Sequence, residues 1–118
     1  MIWQNENFFI EKEESPLPWV KLFTKEFYIN LSDLPFDLKM EMFGIIEIIE
    51  KEMINFYNPK KINIASFGNK VPHLHWHIIA RFENDPWFPN IPWEEKLRED
   101  NLNLPSFDEF IANLVKNL

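Results

Sequence analysis

The chain has 118 residues, 46% of them hydrophobic and 16% aromatic, enough apolar surface for one core of common size and too much for a disordered segment. Nineteen acidic against 12 basic side chains leave a net charge of −7, which argues against a broad electrostatic footprint for DNA, RNA or an anionic membrane; a local phosphate site stays open. Cysteine is absent, which excludes disulfides and thiolate metal sites.

The opening stretch MIWQNENFFIEKEESPLPW has no basic n-region and no long apolar core. No run approaches the ~18–20 apolar residues that span a bilayer. The expectation is a soluble, cytoplasmic protein with a single domain over residues 1–118. NFFIEKEE reads as a short strand, broken by Pro16 and Pro18. WVKLFTKEFYI alternates Val20, Leu22 and Thr24 against Trp19, Lys21 and Phe23, the period-two pattern of a second strand. A helix is expected over roughly 34–57, because Leu38, Met42, Ile45, Ile49, Met53 and Phe56 recur at three- and four-residue spacing. Ser32 or Asp33 can cap it, Pro35 suits its first turn, and Asn58 with Pro59 ends it.

INIASF and HLHWHIIARF then read as two strands joined by a short linker with Gly68, Asn69 and Pro72, an antiparallel connection. From Glu83 to Pro105 proline, aromatics and charge alternate without period, which predicts an irregular arm over the body. Ser106 and Glu109 form a Ser-x-x-Glu capping box before Phe110, Ile111, Leu114 and Val115, so a short terminal helix is expected. Strands, a long helix, strands, an arm and a helix make an α+β domain with an antiparallel sheet and helices on one face. Gly44 and Gly68 are the only glycines, which excludes Walker-type and Rossmann-type phosphate loops.

All three histidines, His73, His75 and His77, stand at alternate positions in one stretch. On a strand they share one face while Leu74, Trp76 and Ile78 share the other. Same-face neighbours lie about 6.6–6.8 Å apart and the outer pair about 13 Å apart. Two such histidines can converge on one ion with bonds of ~2.0–2.1 Å, whereas three along a straight strand cannot. A metal site would have to recruit Glu83, Asp85 or Asp100. Phosphoryl transfer suits an extended row better, since imidazoles along a phosphate chain can act as nucleophile, proton donor and hydrogen-bond donor near neutral pH. An exposed polar strand face is the bland alternative, for which Ser, Thr, Lys or Glu would be the ordinary choices.

HLHWHII, residues 73–79, resembles the histidine triad (HIT) signature, H-φ-H-φ-H-φ-φ, at every position. The upstream INIASFGNKVP is similar to that family's Asn-bearing strand followed by a turn with Gly and an amide residue. GNKVPHLHWHIIARFENDPWFP resembles its bacterial branch of diadenosine polyphosphate hydrolase-like proteins. Element order agrees over the whole chain, and residues from about 61 to 93 carry the specific motifs. The resemblance implies a HIT-like antiparallel sheet with one long helix and a short C-terminal helix, and a homodimer through the long helix and a sheet edge. It also implies a nucleotide substrate cut at the α-phosphate, of dinucleoside polyphosphate or nucleoside phosphoramidate type, with no cofactor and no metal. Under it His75 is the nucleophile that forms a nucleotidyl-histidine intermediate. His73 and His77 bind phosphate oxygens and help protonate the leaving group, Asn69 touches the phosphate, and Asn63 orients the leaving-group side. Departures are Lys70 where Ser or Thr often sits, a loop between Asn63 and Gly68 one residue shorter than in eukaryotic branches, and Glu94 in place of a glycine. A slow nucleotide-binding protein and a metal hydrolase using two histidines are the alternatives.

Lys70 is also a candidate phosphate cation, or a solvated turn lysine. Arg81 shares the triad's parity and can serve the site or pair with a carboxylate. Phe8 and Phe9, with Ile10, are candidate walls of a nucleoside pocket by the same resemblance. Trp87, Phe88 and Trp93 of the arm can stack on a base or seal the core.

Overall fold

A computed structural model describes residues 1–118. The helix follows from its stripe: α1 runs Phe36–Tyr57 and buries Met42, Ile45, Ile46, Ile49, Met53 and Tyr57. Leu38 and Phe56 pack at the margin of the same core. Its N-terminus departs from expectation. Pro35 is the cap residue rather than part of the first turn, its carbonyl accepting from the N–H of Lys39 at 3.0 Å. Ser32 and Asp33 instead belong to a separate 3-10 turn, Leu31–Asp33, where Asp33 accepts from the N–H of Asn30 at 2.9 Å. At the other end Asn58 takes a left-handed conformation, φ 48°, and its N–H closes onto the carbonyl of Ile54.

Five strands form one sheet: β1 (Trp3–Gln4), β2 (Phe8–Lys12), β3 (Trp19–Thr24), β4 (Lys61–Ala65) and β5 (His75–Arg81). Their order is β1-β2-β3-β5-β4, and every neighbouring pair is antiparallel. The fold is thus the expected α+β class, an antiparallel sheet with one long and one short terminal helix. β1 lay outside the expectation, since two residues carry no periodic signal.

Period-two alternation sorts the sheet into two surfaces. Phe8, Ile10, Val20, Leu22, Ile62, Ile78 and Ala80 face α1 and form the main core. The terminal helix α2, Phe107–Val115, is capped by the Ser106 hydroxyl and adds Phe110 and Leu114 to that core. Truncating one of its fully buried residues, such as Ile49 or Met53, would cost about 2–5 kcal/mol. The opposite surface carries Phe9, Trp19, Lys21, Phe23 and the histidines. It has no helix over it, only the irregular arm between Arg81 and Phe107.

Arg81 is buried on that second surface. It pairs with the fully buried Asp85 through Nε to Oδ2 at 3.0 Å and Nη2 to Oδ1 at 3.2 Å. Its other donors reach the Asn63 side chain at 2.9 Å and the Asn90 carbonyl at 2.6 Å. Asp85 also accepts from the N–H groups of Phe82, Trp87 and Phe88 at 3.0, 2.9 and 2.8 Å. Burial alone would raise the Asp85 carboxyl, but Arg81 and these three N–H groups hold it below its ordinary value. This knot ties the arm across the end of the histidine face.

Candidate active site

Leu74 is buried in the main core and Ile78 is fully so, which turns the intervening odd positions to the other face. The register aligns Phe23 with His75 and Lys21 with His77, and places Phe9 opposite Phe23. A ladder of flat rings results. Phe9 stacks on Phe23 at 4.9 Å and Phe23 on His75 at 4.8 Å between centroids, and the His75 and His77 rings lie 5.1 Å apart.

The hydrogen bonds determine which nitrogen of each histidine holds a proton. His75 Nδ1 lies 2.7 Å from the carbonyl oxygen of His73, which can only accept, so Nδ1 carries the hydrogen and Nε2 keeps its lone pair. His77 is the reverse case. The indole N–H of Trp19 donates to His77 Nδ1 at 3.0 Å, so the proton of the neutral ring sits on Nε2. Burial, then the neighbouring His75 and Lys21, push His77 down to about 4, and it is neutral at pH 7. The row therefore presents a ring nitrogen with a lone pair next to an N–H donor.

His73 departs from the role expected of it. It precedes β5, its Nε2 donates to the Thr24 carbonyl at 2.6 Å, and its ring is packed among Phe9, Phe23 and Phe27. It does not line the cavity beside the other two histidines. Its contribution to the row is its main-chain oxygen, which orients His75.

That cavity, about 350 Å³, is lined by Phe67, Gly68, Asn69, Lys70, Val71, His75, His77, Ile91 and Trp93. It is near the lower end of the usual range for ligand pockets. Asn69 and Lys70 are exposed at its rim, and no carboxylate lines it. Gly68 adopts φ 75°, a conformation that favours glycine, and a Cβ there would meet the Val71 carbonyl oxygen at 3.2 Å. The turn thus brings Asn69 and Lys70 to the mouth. Ser66 donates to the His75 carbonyl at 2.6 Å and ties the turn to β5.

Four other expected site residues stand outside the cavity. Phe8 lies on the helix side of the sheet, fully buried in the main core, because it is one residue out of phase with the histidine face. Phe9 is the one of that pair on the reactive side, against Phe23 and His73, and it does not line the cavity. Trp87 is buried in a small cluster with Leu17, Trp19 and Ile79, so it seals the sheet instead of receiving a ligand. Asn63 has the right parity, but its side-chain oxygen is taken by Arg81 and it does not reach the cavity. Sequence reasoning missed Trp19 as a partner of His77. The alternation of β3 put it on the correct face, yet only the register shows which histidine it meets. Trp93 reaches the site from the arm together with Ile91, its ring 5.0 Å from those of His77, Trp19 and Phe67.

The family model of the HIT domain matches residues 4–84. Bis(5'-adenosyl)-triphosphatase of Saccharomyces cerevisiae is 35% identical over 60 residues, 47% of this chain, but the match spans only 29% of that protein's length. Among solved structures, a histidine triad protein from Bradyrhizobium japonicum superposes with a TM-score of 0.81 at 25% identity, covering 98% of this chain and 87% of the other. A histidine triad (HIT) protein from Sinorhizobium meliloti 1021 gives 0.79 at 23% identity over 99% and 87%. The family match covers most of the chain, including the ring ladder and both cavity histidines, and the chain belongs to the histidine triad family.

Proposed function

We propose that this protein is a nucleotide hydrolase that acts at the α-phosphate through covalent catalysis by His75. The observation that carries the reading is the His75 Nδ1–H bond to the His73 carbonyl, which leaves Nε2 as a lone pair on the cavity wall. In the first step Nε2 forms a bond to phosphorus, and the bond to the leaving group breaks with its electron pair on that group. In the second, water attacks the nucleotidyl-histidine, the P–N bond breaks, and the nucleoside monophosphate leaves. The Asn69 amide and Lys70 hold the non-bridging oxygens and the His77 N–H faces the leaving oxygen, where charge builds in the transition state. Similarity to a bis(5'-adenosyl)-triphosphatase supports a dinucleoside polyphosphate as substrate. Phe67, Ile91 and Trp93 supply the apolar wall for its organic part.

Incubation with diadenosine triphosphate and ADP should release AMP and trap a nucleotidylated protein after a rapid quench. His75→Ala should lose both the adduct and the turnover. Equal AMP release by the variant and the wild type would sink the reading.

We further propose that the active form is a homodimer built on α1 and the β4 edge. Phe36, Met40 and Phe43 leave an apolar strip exposed on α1, and Ile64 of β4 is also exposed on the helix side of the sheet. Phe43 abuts Trp76, whose indole nitrogen is buried without a hydrogen-bond partner.

A further inference from the structure

The bond between Trp19 and His77 bears on which substrates can react. An indole N–H only donates, so the contact at 3.0 Å requires a lone pair on His77 Nδ1. Protonating that nitrogen would set two N–H groups against each other in a site where Trp19 is 5% and His77 7% exposed. The titratable neighbours His75 and Lys21 act in the same direction. Lys21 stands opposite His77 on β3, 3.6 Å from Glu13; the His75 ring lies 5.1 Å away; and Lys70 lines the same cavity. Farther along the face, Arg81 is matched by Asp85. His77 is accordingly pushed down to about 4.

A neutral imidazole with its only proton on Nε2 is a good hydrogen-bond donor and a poor acid, because giving up that proton leaves an imidazolate. His77 can stabilise charge on the leaving oxygen without protonating it. A departing phosphate needs no proton, since the second ionisation of a phosphate monoester lies near pH ~6. A departing amine does need one, as an amide anion is not a viable leaving group.

We propose that the Trp19–His77 pair makes this enzyme selective for phosphoric anhydrides over nucleoside phosphoramidates. The inference rests on the covalent hydrolase reading above and names its substrate class. In the favoured reaction, His75 Nε2 bonds to the α-phosphorus, the bridging P–O bond breaks, and its electron pair stays on the departing phosphate. Water then bonds to phosphorus, the P–N pair returns to Nε2, and the proton of the water passes to solvent. Trp19 touches neither substrate nor reacting atoms and is a positioning residue.

The experiment compares kcat/KM for diadenosine triphosphate and adenosine 5'-phosphoramidate at neutral pH. The anhydride should be preferred by at least about 100-fold, the scale of one general-acid contribution. Trp19→Gln places an amide oxygen where Nδ1–H can be accepted, and should narrow the preference about tenfold or more near pH ~6. Nitrogen-15 NMR of wild-type His77 should show the Nε2–H form unchanged between about pH 8 and pH 5. Equal rates on the two substrates, a preference for the phosphoramidate, a folded Trp19→Gln protein with an unaltered preference, or a proton on Nδ1 would each overturn the proposal. Should the Gln variant fail to fold, the wild-type preference and the NMR spectrum still decide. Wild type inert toward both substrates would overturn the hydrolase reading itself, a result distinct from cleavage without preference.

Discussion

His77 links the chemistry of the site to the stability of the fold. Its folded value, about 4, lies below the ordinary 6.5, so the unfolded chain binds the proton more readily than the native one. The stabilising effect of keeping it neutral is complete above about pH 6.5 and is lost as pH falls toward about 4. Urea midpoints measured from pH 7 to pH 4 should fall across that window, and His77→Gln should flatten the fall; parallel curves for the two proteins would contradict it. The histidine face was legible at this scale, because alternate positions on a strand share a side. The tautomers were not. They depend on partners such as Trp19, 58 positions away in sequence, and on the His73 carbonyl, which is main chain and independent of side-chain identity.

Among the elements, the arm holds least regular structure and depends most on one contact. Arg81 and Asp85 are 2% and 0% exposed as side chains, so removing one charge leaves the other buried and unpaired. Asp85→Ala should cost about 3–5 kcal/mol in chemical denaturation and free the arm that carries Ile91 and Trp93. A loss below about 1 kcal/mol, the scale of a surface pair, would show that the knot is not holding the arm. Periodicity exposed α1 and the β4–β5 connection because each repeats an apolar spacing. The arm has no period, and neither its anchor nor the contrast between buried Trp87 and cavity-lining Trp93 could be read from spacing. The N-terminal boundary of α1 shifted for a related reason: Asp33 can bond the N–H of Asn30 locally and form its own turn.

For the whole molecule, the apolar strip on α1 is the feature a lone chain leaves unexplained. Phe36 is 72% and Met40 53% exposed, on the same face as Phe43 at helical spacing. Light scattering should give a mass near twice the 14.3 kDa of one chain, and Met40→Glu should shift it toward the single-chain value. A single-chain mass for the wild type would remove the dimer proposal. No helix is long and apolar enough to cross a membrane.

By itself the sequence determined the two periodicities, and with them the long helix, the four longer strands and the side of β5 that bears His75 and His77. Local spacing is enough for these, because successive residues on a helix or strand point in directions set by backbone geometry. Only the tertiary structure decided what each ring does. The register brought Trp19 to His77, the turn into β5 aimed the His73 carbonyl at His75, and the Arg81–Asp85 knot laid Trp93 over the cavity. Proton positions follow from which donor meets which acceptor, and that is a property of elements packed together.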